Sequence, residues 1–320
     1  MTRRLAGTCV AVLLLFACGC ISLGPFAPPE IEEVLVEESP RWLEVNRVAL
    51  IDIDGFIASS PTPWFMPGAT TVADVREKLD LAAEDYLVRA VVLRINSPGG
   101  TATAADTIYR EIARFKAETG KPVVAAMGGV AASGGYYVAL PADRIIAAPT
   151  TVTGSVGVIM KYLNVEGLYG KIGLRSEAIK SGDKKDIASA TRPLTPEERK
   201  ILQNVIDSLY RQFLDAVKAQ RTQMTADDAA FIADGRIVTA QEALDHHLVD
   251  RIGYLDDALA EARALAGIRT ADVILYRAHP DYNANIYAGR PGGAGLVEAG
   301  LDMLLRRGSP NFLYLWSPGS

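Results

Sequence analysis

The chain has 320 residues, 49% of them apolar and 22% charged, enough for one large folded domain or two small ones. Its net charge is −5 and its basic runs are short, which excludes the electrostatic footprint of a nucleic-acid binder. All three cysteines, Cys9, Cys18 and Cys20, fall in the first twenty residues, so the remainder has neither an internal disulfide nor a thiolate metal site.

The chain opens on "MTRR", then the apolar run "LAGTCVAVLLLFA", which is short for a membrane span. "LFACGC" follows and has the look of a bacterial lipoprotein signal. Cys18, preceded by Leu15, Phe16 and Ala17, fits as lipid acceptor somewhat better than Cys20. A plain secretory signal or an uncleaved anchor is the alternative. More than one lipid chain would give stable anchoring. Residues 1–20 are therefore expected to be a signal segment. Residues 21–45, rich in Pro and Glu, are expected to be a spacer between membrane and folded body.

From Arg47 the pattern changes. "RVALIDIDGFI", "AVVLRIN", "PVVAAM" and "RIIAA" are short, β-branched apolar runs bounded by Gly, Pro, Asn or Asp, and predict strands buried on both faces. Helices are predicted between them, from near Thr71 to about Tyr86 and from about Thr103 to Thr119, where Gly120 and Pro122 stop the second. Alternation of strand and helix predicts an α/β domain with a largely parallel sheet.

The second half reads as mainly helical. "TPEERK" is a capping box, with Thr195 at the N-cap, Pro196 first in the helix and Glu198 reaching back. Two apolar rows follow, Ile201, Val205, Leu209, Phe213 and Val217, and Leu202, Ile206, Tyr210 and Leu214. So wide a stripe needs a large partner, either the chain's own sheet or a neighbouring subunit. Thr239 and Glu242 form a second capping box. A further helix is expected over about 255–266, and "ADVILYRA" has the pattern of a strand. The tail is punctuated by Gly and Pro around a short apolar helix, "LVEAGLDMLL". His246, His247 and His279 match no zinc spacing, and the adjacent pair is expected to point in different directions on a helix.

Three stretches carry chemistry. "NSPGG", ending at Gly100, follows a strand and precedes a helix, so its backbone N–H groups could stabilise an oxyanion. A tight turn is the plainer reading. "GGVAASGGYYVALPADR" presents Ser133 after a strand and at the start of a helix. Such a serine is usually only a cap, but its sheet edge is also the edge of "NSPGG", and ligands of α/β sheets bind outside the carboxyl ends of the strands. No histidine lies near it in sequence to act as base. "AIKSGDKKDIAS" gathers Lys180, Lys184 and Lys185, which charge pattern alone makes a solvated turn. One of them is the candidate base, and the residues do not choose among the three. A free lysine, pKa near ~10.4, would have to lose about three units, or roughly 4 kcal/mol, to accept a proton at neutral pH. Desolvation can supply this, and Ser155 in "TGSVGV" offers a hydrogen-bonding hydroxyl.

"NSPGG", "AASGGYY", "TGSVGV", "KSGDKKD" and "DGRIVTAQEALDHHLVDRIG", in this order over about 46–268, closely resemble the bacterial signal peptide peptidase family of serine–lysine proteases. The resemblance implies the Clp protease/crotonase-like fold, a spiral of ββα units with a helical C-terminal half used for oligomerisation. It implies Ser133 as nucleophile, Lys185 as general base, Ser155 as the residue that positions the base, and the N–H groups of Gly100 and Gly134 as oxyanion hole. It implies a membrane-anchored endopeptidase, facing the periplasm or extracytoplasmic side, that cleaves apolar peptides such as signal-peptide remnants. It implies no metal and no cofactor. Single-copy members such as this one are expected to form rings, about eight subunits by family precedent, with Ser133 of one protomer facing Lys185 of the next. Many members start with a transmembrane helix, and the lipoprotein-like start departs from that. The competing readings are a crotonase-type acyl-thioester enzyme and a non-enzymatic lipid-anchored ring scaffold. The peptidase domain is expected to span 46–268, with 269–320 as a C-terminal extension.

Overall fold

In a computed structural model the described residues are 31–39, 45–59, 69–278 and 312–316. The expected signal segment with Cys18 and Cys20, and the apolar helix of the tail, lie outside them. Among the described residues no helix is long and apolar enough to cross a membrane.

One sheet organises the chain. Its main path runs β1 (Ile31–Glu37), β11 (Asp272–Ala278), β2 (Arg47–Ala58), β4 (Val88–Thr101), β5 (Val123–Ala132), β6 (Arg144–Ala147) and β10 (Arg251–Ile252). From β11 to β10 every pairing on this path is parallel, and β1 closes one edge antiparallel. The strands are apolar at successive positions because both faces are covered. Ala49, Ile51 and Ile53 of β2, Val91, Leu93 and Ile95 of β4, and Val123, Ala125 and Met127 of β5 share one core. That core is completed by α1 (Val72–Glu84), α2 (Ala102–Thr119), α3 (Gly134–Ala139) and α5 (Pro196–Gln220). The alternate residues Val48, Leu50, Ala90, Val92, Val124 and Ala126 face α8 (Leu255–Leu265) through Leu255, Ala258, Leu259 and Ala262. The α/β class expected from the sequence is the class found.

Helix ends follow the local signals. Thr71 and Thr101 cap α1 and α2 by accepting from the N–H groups of Asp74 and Ala104. Gly120 ends α2 at φ 67°, a left-handed turn that glycine enters without steric cost. Both expected capping boxes are present, at the starts of α5 and of α7 (Ala240–Asp245). A third, Thr225 with Asp228, opens α6 (Ala226–Ile232). The short helix α4 (Glu166–Lys171) and the strands β3 (Thr70–Thr71), β7 (Val152–Gly154), β8 (Ile159–Met160), β9 (Ile237–Thr239) and β12 (Phe312–Leu315) complete the order.

Two expectations need correction. The folded body does not stop at the 46 and 268 boundaries, because β1 lies in the expected spacer and β11 and β12 lie in the expected extension. The glutamates that suggested a spacer point outward from β1, while Ile31, Val34 and Val36 turn inward. The strand β11 is not peripheral: it sits between β1 and β2 with Val273, Ile274 and Leu275 buried. Finally, His246 and His247 converge: their Nδ1 atoms lie 2.9 and 3.1 Å from the two oxygens of Asp228. They follow the end of α7, and His247 has φ 60°, so helical geometry no longer separates them.

The long stripe of α5 is only half used by this chain. Phe213 and Val217 are fully buried, whereas Ile201 and Val205 remain 39% and 38% exposed. Exposed Tyr162, Leu163, Leu168, Ile172, Leu174 and Ile179 add apolar surface between β8 and the lysine segment.

Ile274→Ala tests the revised boundary. Because β11 is central, the substitution should destabilise the body by about 2–5 kcal/mol, seen in thermal or denaturant unfolding. A change within noise would return 269–320 to the status of an appendage.

Candidate active site

The parallel sheet delivers two turns to one edge, at the carboxyl ends of β4 and β5, where α/β proteins bind ligands. After β4 comes the turn that leads into α2. After β5 comes Ser133, then α3. The Ser133 backbone has φ 53° and ψ −115°. Positive φ is sparsely populated by residues with a side chain and costs about 1–3 kcal/mol. Two backbone bonds hold it. The Ser133 N–H donates to the Gly154 carbonyl at 2.8 Å, and the Tyr137 N–H donates to the Ser133 carbonyl at 2.8 Å.

The usual use of a serine at a helix start is absent here. Ser133 makes no side-chain cap bond. Its residue is 1% exposed, and its Oγ has no hydrogen-bond partner among the described residues. A buried hydroxyl without a partner costs about 1–3 kcal/mol, so this atom is held back from structural work.

Gly100 and Gly134 border the same spot. A Cβ on Gly134 would stand 3.1 Å from the Gly100 nitrogen and 2.9 Å from the carbonyl oxygen of Tyr314. A Cβ on Gly100 would stand 1.9 Å from the Ile57 carbonyl oxygen. Only glycine permits this approach of backbone to backbone. The structure thus places Ser133, Gly100 and Gly134 at one sheet edge.

Ser155 joins the group through the backbone. Ala132 pairs with Gly154 across β5 and β7, so Ser133 and Ser155 leave neighbouring strands side by side. Ser155 is 9% exposed, has φ 52°, and donates its N–H to the Arg236 carbonyl at 2.7 Å.

Lys185 is different. It is exposed in a turn closed by its own N–H to the Gly182 carbonyl at 3.0 Å. Among the described residues no hydrogen bond or ion pair joins it to Ser133 or Ser155. The other two candidate lysines are engaged. Lys180 pairs with Asp186 at 2.7 Å, and Lys184 pairs with Glu197. The bond to Glu197 raises the pKa of Lys184, which works against its acting as a base.

A network that the sequence did not reveal holds this segment. Arg192 donates to Asp186 through Nε and Nη2, at 3.0 and 2.7 Å, and to Glu198 at 2.9 and 2.6 Å. Glu198 also closes the capping box of α5 by accepting from the Thr195 N–H. The bonds from Arg192, then that from Lys180, hold the Asp186 carboxyl well below the ordinary range. Arg192 and the Thr195 backbone bring Glu198 down to about 2. The residue after Lys185 is thereby fastened to the start of α5. The only sequence signal was opposite charge at i and i+6, which no helical or strand spacing makes conspicuous. The other feature not foreseen is β12, with Tyr314 at the glycine pair. Its four residues were hidden in a tail dense in Gly and Pro.

An unpartnered serine hydroxyl on a strained turn, beside a second glycine turn in close approach, is an arrangement used by hydrolases that work through a covalent acyl-enzyme. Comparison with known proteins agrees with that class. The model of peptidase family S49 matches residues 115–269. A Synechocystis protein provisionally named a protease is 39% identical over 223 residues, covering 70% of this chain and 76% of its own length. An Enterococcus faecium protein provisionally named signal peptide peptidase SppA is 34% identical, covering 78% of this chain and 71% of its own length. Protease 4 of Salmonella typhi is 38% identical over 73% of this chain, which spans 37% of that longer protein. Among solved structures, the 1510-N membrane-bound stomatin-specific protease has 20% identity and a TM-score of 0.45, covering 73% of this chain and 98% of its own. The chain belongs to peptidase family S49, a family of serine proteases.

The Arg192 network makes a prediction about pH. Glu198 has a folded-state pKa of about 2 against an ordinary 4.5, so its contribution is present above the ordinary value and is lost as pH falls from about 4.5 towards about 2. Amide hydrogen exchange over 186–198 should accelerate across that window. In Arg192→Gln most of that contribution should already be missing at neutral pH, so exchange should be faster there and change less across the window. Identical profiles for both proteins would show that the network does not hold the segment.

Proposed function

We propose that the protein is a membrane-anchored serine endopeptidase working through a Ser133/Lys185 dyad. The observation that carries this reading is the Ser133 Oγ, buried without a partner on a strained turn beside the Gly100 and Gly134 amides. In this reading the neutral Lys185 amine takes the Ser133 proton while Oγ attacks the peptide carbonyl. The developing oxyanion is met by the N–H groups of Gly100 and Gly134. The resulting ammonium gives its proton to the leaving amine. Water, activated by the same amine, then releases the acyl group.

The lysine is supplied by a neighbouring protomer. Lys185 is exposed in the single chain, yet of the three candidate lysines it is the one with no carboxylate partner among the described residues. The segment that bears it runs between apolar surface at 162–179 and the unburied first turns of α5. Packing of that surface on the next copy would remove water from the amine, which favours its neutral form. A head-to-tail contact of this kind closes into a ring, for which we propose about eight subunits. Ser155, beside Ser133, would accept or donate a hydrogen bond to the incoming amine.

Apolar peptides, including remnants of signal peptides, are the proposed substrates, in keeping with the name of the Enterococcus faecium relative. Lipid on Cys18, or on Cys20, would hold the ring at an extracytoplasmic membrane face.

Complementation tests the shared dyad. Ser133→Ala and Lys185→Ala should each lose at least 99% of peptidase activity, and Lys184→Ala should keep most of it. Rings formed by co-expressing the two dead variants should regain part of the activity. Mixed rings that stay dead, with both variants assembled, would place the dyad within one chain. Labelling by a fluorophosphonate should depend on Ser133; a wild-type protein that is never labelled would favour a scaffold instead. For the anchor, a palmitate analogue fed to cells should mark the wild type and not Cys18→Ser. Label lost only in Cys20→Ser would move the acceptor, and an unlabelled wild type would leave an ordinary signal peptide.

A further inference from the structure

We propose that Arg236 is a positioning residue for Ser155, and that a stack of Arg236, Phe231 and His246, anchored on Asp228, holds it in that role. The inference deepens the peptidase reading and rests on the part given there to Ser155. It accounts for "DGRIVTAQEALDHHLVDRIG", a stretch that supplies no side chain to the proposed dyad.

Ser133 and Ser155 are both strained, with φ of 53° and 52°. Such backbone persists only where its surroundings over-determine it. Ser133 is secured by α3 and by the Gly154 carbonyl. Ser155 has the Arg236 carbonyl, which accepts its N–H at 2.7 Å. The strand β7 stands between the two partners. It pairs parallel with β5, Ala132 with Gly154, and antiparallel with β9, Gly154 with Ile237. The contact has no slack, since a Cβ on Gly154 would stand 3.0 Å from the Arg236 carbonyl oxygen. A displacement of residue 236 is therefore felt at Ser155.

Residue 236 sits in an exposed turn without a core of its own. The side chains of Asp234 and Arg236 are 55% and 45% exposed, and Gly235 between them has φ 78°. Side-chain contacts hold the turn instead. The Arg236 guanidinium donates to Asp234 through Nε at 2.9 Å and Nη2 at 2.6 Å. The Tyr210 hydroxyl of α5 donates to the Ala233 carbonyl.

The stack ties this turn to α6 and to the end of α7. The guanidinium carbon of Arg236 lies 4.4 Å from the centre of the Phe231 ring, a cation over an aromatic face. The His246 ring stacks on Phe231 at 3.8 Å with 13° between the planes. Two groups so near one ring centre cannot share a face, so the phenyl ring is clasped between them. The imidazole is fixed in turn, its Nδ1 2.9 Å from Asp228 Oδ1. Asp228 is buried, and its other oxygen accepts from the Thr225 N–H and hydroxyl at 2.9 and 2.7 Å. An unbroken run of contacts thus leads from the capped start of α6 to the carbonyl that holds Ser155. His246 is committed by one nitrogen and one face, and its place in the run is that of a flat, anchored plate.

The test uses the full-length, assembled protein and a fluorogenic apolar peptide. Phe231→Leu keeps apolar bulk but offers no ring face, and Arg236→Met keeps the stem without the guanidinium. Each should lower kcat about tenfold with KM little changed, below the cost of about a hundredfold that a misplacement of about 1 Å can carry. His246→Ala should do the same, and His246→Phe, which restores a plate against Phe231, should recover most of the loss. Amide exchange at Ser155 should quicken in Phe231→Leu and His246→Ala and stay slow in His246→Phe, a readout that needs no catalysis. Residues that act through one another are not additive, so Arg236→Met should cost little further in a Ser155→Ala background. A merely structural contact would lower the unfolding midpoint and leave kcat of the folded protein unchanged. The proposal is overturned if Phe231→Leu and His246→Ala keep full kcat, if Ser155 exchange does not respond, or if Arg236→Met costs as much without the Ser155 hydroxyl as with it; the peptidase reading survives all three results. A wild-type protein that neither cleaves peptide nor is labelled at Ser133 by a fluorophosphonate removes the dyad, and with it the role given to Arg236.

Discussion

The close approach of two backbone turns is the constraint on which the rest depends. One turn ends β4 and the other ends β5, and Gly100 and Gly134 stand within a Cβ's reach of each other's nitrogen or of neighbouring carbonyls. Parallel pairing of the two strands is what points both turns at the same sheet edge. A methyl group on Gly100 would overlap the Ile57 carbonyl, and one on Gly135 would come within 2.4 Å of the Ser97 carbonyl. Without that clearance α3 could not sit where it does, and Ser133 would have no reason to adopt its strained conformation.

Strain at such a point persists only when the surroundings over-determine it. Here α3 is wholly buried, with Tyr136 and Tyr137 locked by hydrogen bonds to the Leu248 carbonyl and to Asp106. The sheet beneath is covered on both faces by apolar clusters. An unsatisfied hydroxyl and a positive φ are tolerable against that background. In the proposed reading the same rigidity would hold the amides of Gly100 and Gly134 in place as preorganised donors to a developing charge.

The rigid and the open parts of the molecule are divided along the chain. The serine side is deep and dense, whereas the lysine side is an exposed turn flanked by unburied leucines, isoleucines and Tyr162. The Arg192 network gives that exposed turn a definite shape without a hydrophobic core of its own. In the proposed reading a site divided in this way suits control by assembly, since the base would arrive only with the neighbour.

Much was decided by sequence alone. Strict apolar runs in β2, β4, β5 and β6 can be buried only in a two-sided parallel sheet, and Thr-x-x-Glu before apolar periodicity marks helix starts without tertiary help. Ser133 stood out because glycine and small residues around a strand-ending serine have a local steric meaning, whereas the pairing of Gly100 with Gly134 rested on the family resemblance. Order along the chain also sufficed for the family. What tertiary structure decided is where long-range geometry, not local pattern, sets the answer. Charge pattern could not rank Lys180, Lys184 and Lys185, since their partners Asp186 and Glu197 are chosen by how a loop folds onto α5. The glutamate-rich β1 and the short β12 carry too little pattern to predict a strand, because their pairing energy comes from β11, β4 and β8, far away in sequence. The two histidines met on Asp228 for the same reason: a single residue of positive φ at a helix end redirects a side chain in a way that no periodicity encodes.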